Sequence, residues 1–358
     1  MKRYVLLVIT IITVFFGGCQ NHIKVESLKF NHQDEMIRKS DFIVLADRRV
    51  FAAIAFMNAA GFDEEAKGKQ MYPVRARVRE ILKEKAAAHP QEFERFKKCY
   101  QKNALPNYIY LDFCLSLNAD YPFRRIRPDS ESSYPYAAQR LADFPEVLNV
   151  FWETADLNAV WEEVKPSYIE EIHKYDFAKM KHQLAFVWGY LRMERKDHFV
   201  FISVPDLLDE RNNGIGAKYE NYYYMVESPG SISSGLSIHE YLHSFVNPMV
   251  KASYKPYRQK LDGYLKAGRN KPLAASYRET ATYTFECLVR ALDARISVLM
   301  ENDPIITRLR ETQVNEQTQN GLTLVGPFYK SLSQYEQSDK YFEEFLPVML
   351  ELLPEYYR

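Results

Sequence analysis

Apolar residues recur at helical intervals through most of this chain and give way once to a β-branched and aromatic run. From Asp47 to about Leu191 the pattern predicts helices. Arg49 to Ala60 is apolar and alanine-rich. Val74 to Ala88 carries Arg75, Arg77, Arg79, Glu80, Lys83 and Glu84 at spacings that fit a solvated helix face. Helices over Glu92–Gln101 and Tyr108–Leu117 follow, separated by Pro106. Pro122, Pro128 and Pro135 make 120–136 a loop, and helices resume near Pro145. The character then changes. His198 to Val204 reads as a strand, Asn212-Asn213-Gly214 as a turn, and Ile215 to Val226 as one or two more strands, closed by Pro229-Gly230. A helix starting near Ser234 should stop close to Asn247, because Pro248 disfavours helical geometry in the residue before it. Helices at about 250–267 and 273–300, a loop or short exposed helix at 307–320, and an aromatic-rich helix from Ser331 to Leu353 complete the chain. The expected fold class is α+β, mostly helical, with a small sheet before the 234–247 helix and helices after it.

That helix carries candidate chemistry. At 100° per residue, Ile238, Tyr241, Leu242 and Phe245 form one apolar stripe. His239 and His243 fall together at its edge, with Glu240 just beyond them. The text His239-Glu240-Tyr241-Leu242-His243 is H-E-x-x-H. Residues four apart lie on one helix face, so both imidazoles can reach one metal ion, and the glutamate beside them can take a proton from a water that the metal activates. A capping box, Ser237 with Glu240, is the purely structural alternative.

A catalytic zinc usually has three protein ligands and one open position. No histidine follows His243, so a downstream histidine cannot be the third donor, and a glutamate on a later helix is the other common solution. Glu279 and Glu286 are the candidates on the 273–300 helix. Glu286 sits among Phe285, Cys287, Leu288 and Val289, and a carboxylate buried in such company needs a partner. Zinc is one such partner, and Arg290 at i+4 is another. Glu279 is the alternative ligand, or a residue that holds a histidine ligand from behind.

The run from His239 to Pro248, together with Glu286-Cys287-Leu288-Val289-Arg290-Ala291, resembles the gluzincin-type metallopeptidase domain of bacterial exported proteins. The order of strand, turn, strand and H-E-x-x-H helix is that of zincins. The resemblance implies a Zn2+-dependent peptidase with His239, His243 and Glu286 as ligands and Glu240 as general base. It also implies that Gly214–Glu220 is a strand able to pair with an extended peptide or protein substrate; an ordinary edge strand is the alternative. A tyrosine or histidine should stabilise the oxyanion, with Tyr283, Tyr222, Tyr223, Tyr224 and His198 as candidates. Gluzincins place an acid four residues after the glutamate ligand. Arg290 occupies that position here, which leaves the histidine-orienting group unassigned.

Composition and the N-terminus set the context. Hydrophobic residues make up 47% of the chain, enough for a sizeable core. Lys plus Arg equals Asp plus Glu at 47 each, which argues against nucleic acid as a partner. Lys2 and Arg3 precede an apolar run, Val5 to Phe16, too short for a comfortable membrane span. The run ends in Phe16-Gly17-Gly18-Cys19, which resembles a bacterial lipoprotein signal. That implies removal of residues 1–18, lipid on Cys19 and a membrane-anchored protein of the cell envelope, outside the cytoplasm; a plain signal anchor is the alternative. Gln20 after the cysteine resembles the sorting pattern for an outer membrane. Residues 19–45 read as a tether, 46–191 as a helical region and 192–358 as the zincin-like region, the last two forming either one domain or two. Cys99, Cys114 and Cys287 remain; Cys99 with Cys114 is the more plausible disulfide, and three buried thiols the alternative. His22, His32, His89 and His182 lack ligand-like neighbours. Two other functions fit the sequence. One is a catalytically inactive zincin-like scaffold. The other is a di-iron carboxylate protein built on Glu240-x-x-His243 and Glu170-x-x-His173.

Overall fold

A computed structural model describes residues 35–39, 42–62, 72–103, 105–128, 135–193, 200–209, 214–219, 222–228 and 236–355. The expected signal segment, Cys19 and His198 lie outside the described residues. The sheet begins earlier than the sequence pattern predicts. Strands β1 (Met36–Lys39) and β2 (Phe42–Leu45) come from the segment expected to be tether. Phe42, Ile43, Val44 and Leu45 are all buried, so β2 is an inner strand covered on both faces.

Eight helices follow: α1 (Arg48–Ala59), α2 (Pro73–Ala88), α3 (Pro90–Asn103), α4 (Asn107–Leu115), α5 (Pro135–Arg140), α6 (Phe144–Thr154), α7 (Leu157–His173) and α8 (Phe177–Leu191). The chain then returns to the sheet with β3 (Val200–Pro205), β4 (Gly214–Tyr219) and β5 (Tyr222–Glu227). The strand order is β1-β2-β3-β5-β4. The three inner strands are parallel, with Phe42 opposite Phe201 and Phe201 opposite Tyr223, and the two edge strands are antiparallel. The fold is therefore α+β and mostly helical, with a small mixed sheet. Because β2 pairs with β3, the helical region and the region after residue 192 share one sheet and one hydrophobic core.

The central element is α1. Every residue from Arg49 to Asn58 is buried, as expected of a helix that is apolar all round. Its one internal cation, Arg49, forms a bidentate pair with Asp47 (2.6 Å at the closest atoms) and donates to the carbonyls of Leu115 and Leu117 at 3.1 and 2.8 Å. It also lies 5.7 Å from the ring centre of Tyr224 on β5. A buried charge with a partner on each of its three nitrogens thus ties the first helix to the end of α4 and to the sheet.

After the sheet come α9 (Leu236–Ser253), α10 (Arg258–Gly268), α11 (Thr280–Glu301), α12 (Pro304–Gln319), α13 (Val325–Glu336) and α14 (Phe342–Leu352). Three expectations change here. Helix α9 does not stop at Asn247. It continues through an exposed Pro248 to Ser253, because Val250 is still buried against the core. The 307–320 stretch is a regular helix, capped by Asp303 accepting from the Ile305 N–H, with Val314 its buried contact. The aromatic C-terminal helix is two helices. The carbonyls released between them are taken by Arg192 at the end of α8, which donates to Ser338 (2.5 Å) and Lys340 (2.7 Å). Cys99, Cys114 and Cys287 are all free thiols. Among the described residues, no helix is long and apolar enough to cross a membrane.

Asp293 on α11 is a buried acid near Arg310 of α12 (3.6 Å). Burial outweighs that cation and raises its pKa to about 6. A folded-state pKa above the unfolded one means the ionised form opposes folding; the penalty is complete above about pH 6 and gone below about pH 4. Asp293→Asn should therefore stabilise the chain at pH 7 by about 1–2 kcal/mol and change little near pH 3.5. Chemical denaturation at the two pH values checks this. A less stable variant at pH 7 would mean that the Arg310 pair outweighs burial.

Candidate metal centre

Helix α9 lies against β4 and β5 on one side and against α11 on the other. Ile238, Tyr241, Leu242 and Phe245 are buried, as the stripe predicts. Tyr241 is held further by the Trp188 indole, which donates to its hydroxyl at 2.7 Å. This packing turns His239 and His243 toward α11. Their Nε2 atoms are 3.3 Å apart.

Glu286 meets them from α11. Its Oε2 lies 3.4 Å from His243 Nε2 and its Oε1 3.8 Å from His239 Nε2. A tetrahedral ion with ligand distances of about 2.0–2.1 Å has edges of about 3.3–3.4 Å. The edge between the imidazoles and the edge from His243 to Oε2 match that spacing, while the 3.8 Å contact of His239 is made to the other oxygen, Oε1. Two imidazoles and one carboxylate therefore fit a divalent metal. The three side chains are 12–15% exposed, so the centre is walled yet open to water. Phe285 forms part of the wall, edge-on to His243 at 5.9 Å.

Electrostatics couple the same three side chains. Burial pushes His239 down to about 3, which keeps it neutral. Burial also opposes charge on Glu286, but His243, His239 and Arg290 together hold its carboxyl well below the usual range. His243 is desolvated too, yet Glu286, Glu240 and Asn247 raise it overall. Arg290 Nε donates to Glu286 Oε1 at 2.6 Å, so the guanidinium expected as one partner of Glu286 is present.

Glu240 lies beside the histidines; one donor atom from each of the three falls within 4.8 Å of the others. Burial raises its pKa to about 7. Its carboxylate faces the backbone N–H of Gly216 on β4, and a Cβ at Gly216 would stand 3.3 Å from Glu240 Oε2 and collide with the Tyr223 hydroxyl. Glycine is needed there for this approach. Tyr223 in turn donates to the Glu240 backbone carbonyl. Among the described strands β4 is at the edge of the sheet, and its Gly216 lies against the motif.

Several expected roles fall away. Tyr283 is fully buried. Its hydroxyl donates to the Gly321 carbonyl (2.9 Å) and accepts from the Thr323 N–H (2.7 Å), so it faces the α12–α13 connection and is no oxyanion donor. Tyr224 belongs to the Arg49 node. Glu279 is the exposed N-cap residue of α11 and lines a surface cleft with Arg258 and Asp262, apart from the imidazoles. Glu170 and His173 are exposed on α7, with Glu170 paired to Lys174, and do not join Glu240 and His243 in a shared site.

Two residues of the centre were missed. Asn247 holds His243, with its Oδ1 2.9 Å from Nδ1. The i,i+4 spacing from His243 was a readable signal for it. Tyr277 lies half-buried beside Arg290 and Glu286. It stands in the turn before α11, where no periodicity points to it.

No family model, curated protein or solved structure matches this chain.

Asn247 fixes the tautomer that leaves His243 Nε2 free for a metal. Asn247→Ala should weaken divalent-metal affinity roughly tenfold or more with the fold intact. Competition titration with a chelating dye, beside a circular dichroism spectrum, measures both. Unchanged affinity would remove Asn247 from the centre.

Proposed function

We propose that this chain is a zinc-dependent metallopeptidase that hydrolyses peptide bonds, anchored to the bacterial cell envelope by lipid on Cys19. The observation that carries the reading is the meeting of His239 and His243 from one helix with Glu286 from another, at separations of 3.3, 3.4 and 3.8 Å. A zinc ion held there supplies Lewis acidity, which polarises a peptide carbonyl and makes water a nucleophile near neutral pH.

The chain's own residues do the rest. Glu240 takes the proton of the attacking water on its carboxylate and delivers it to the leaving amine. The Gly216 N–H aims that carboxylate, and Tyr223 secures the backbone beneath it. Asn247 and Glu286 set the orientation of His243. Among the described strands β4 is at the edge, where an extended peptide can add to the sheet and bring a scissile bond past Glu240. Both sides of the reaction are thus supported by elements that the sheet holds rigid.

The purified chain should contain about one zinc, and His239→Ala and Glu286→Ala should each lose it. Glu240→Gln should keep the zinc and lose on the order of 100-fold or more in peptide hydrolysis. Metal analysis and a peptide library give both readouts. No zinc after reconstitution would sink the reading, and full activity in Glu240→Gln would remove the general-base role.

A further inference from the structure

We propose that Arg290 is a positioning residue of the metal centre, holding one oxygen of Glu286 so that the carboxylate presents only the other. The proposal rests on the reading of His239, His243 and Glu286 as metal ligands. Arg290 Nε lies 2.6 Å from Oε1, whereas Oε2 is the oxygen turned to His243 Nε2 at 3.4 Å. Oε1 stands further from its nearer imidazole, 3.8 Å from His239. The two oxygens of one carboxylate therefore have two employments.

The sequence places the guanidinium well for this. Arg290 is one helical turn beyond Glu286 on the same face of α11. Its side chain is 31% exposed against 12% for Glu286, so it reaches in from the rim. Tyr277 lies beside it and limits its swing.

The chemical effect is the reverse of the usual one. Groups behind metal ligands ordinarily accept a hydrogen bond from the ligand and raise its basicity. A guanidinium donates and withdraws charge. The Glu286–Arg290 pair is neutral as a whole, so the donor set brings no net charge to a divalent ion. Such an ion is held less tightly and stays a stronger Lewis acid. Restricting Glu286 to one oxygen also keeps a coordination position clear for water or a substrate carbonyl.

The test is zinc affinity of the full-length chain, by chelator competition, for wild type, Arg290→Met, Glu286→Gln and the double variant. Arg290→Met should bind zinc about tenfold more tightly, the scale on which such supporting groups act. The gain should vanish in the Glu286→Gln background. With cobalt(II) in place of zinc, the visible bands of Arg290→Met should weaken as the freed second oxygen raises the coordination number. Affinity equal to or weaker than wild type in Arg290→Met overturns the role. So does an equal gain in both backgrounds, which would be charge repulsion alone. If Arg290→Met does not fold, Arg290→Gln, which removes the charge but keeps a polar side chain at the rim, should still tighten binding, and an unchanged affinity overturns the role. Absence of zinc binding in every form overturns the metal centre and this role together.

Discussion

An ionised carboxylate inside an apolar helix face must have partners, and Glu286 meets that demand from three sides. Two imidazoles reach it from α9, and a guanidinium reaches it from its own helix. The contact sets the register between α9 and α11, because His239 and His243 can face Glu286 in only one alignment. The apolar stripe of α9 supplies the adhesion, and the polar cluster selects the alignment. The rest of the site follows from that alignment. With α9 fixed, Glu240 faces Gly216, and strand β4 becomes the neighbour of its carboxylate.

A second buried ion pair does comparable work far from the chemistry. Asp47 and Arg49 sit where the first helix leaves the sheet, and Arg49 caps the carbonyls at the end of α4 while facing Tyr224. The two nodes divide the labour. One assembles the helical layer on the sheet, and the other assembles the centre on the helical layer. Both use an arginine on a helix to satisfy an acid that burial would otherwise make costly.

The legible part of the sequence was the part governed by local periodicity. The α9 stripe, the histidine pair and the apolar setting of Glu286 all follow from spacing and chemistry within one turn or two. What was lost depended on distant chain. Phe42-Ile43-Val44-Leu45 is only four residues long and lacks alternation, so it showed no strand period. Its identity comes from pairing with β3. The break between α13 and α14 has no glycine or proline, and Arg192 from another helix supplies the hydrogen bonds that make it tolerable. Pro248 misled in the opposite sense. Burial of Val250 carries the helix through a residue that local rules treat as a stop. Tyr283 was placed on the right helix but the wrong face, because its hydroxyl answers to Thr323 and Gly321 on another connection.

The pairing of β2 with β3 has a consequence in time as well as in space. Phe42 cannot find Phe201 until all eight intervening helices have been synthesised. Helices form from local contacts, whereas a parallel pair this distant must close a very long loop first. The early half of the chain can therefore collect as helices while β1 and β2 wait with open edges. Only when β3 and β5 arrive does the sheet exist, and only then is there a surface to seat α9. A chain interrupted before α11 would carry the imidazole pair of α9 without the Glu286 that faces it.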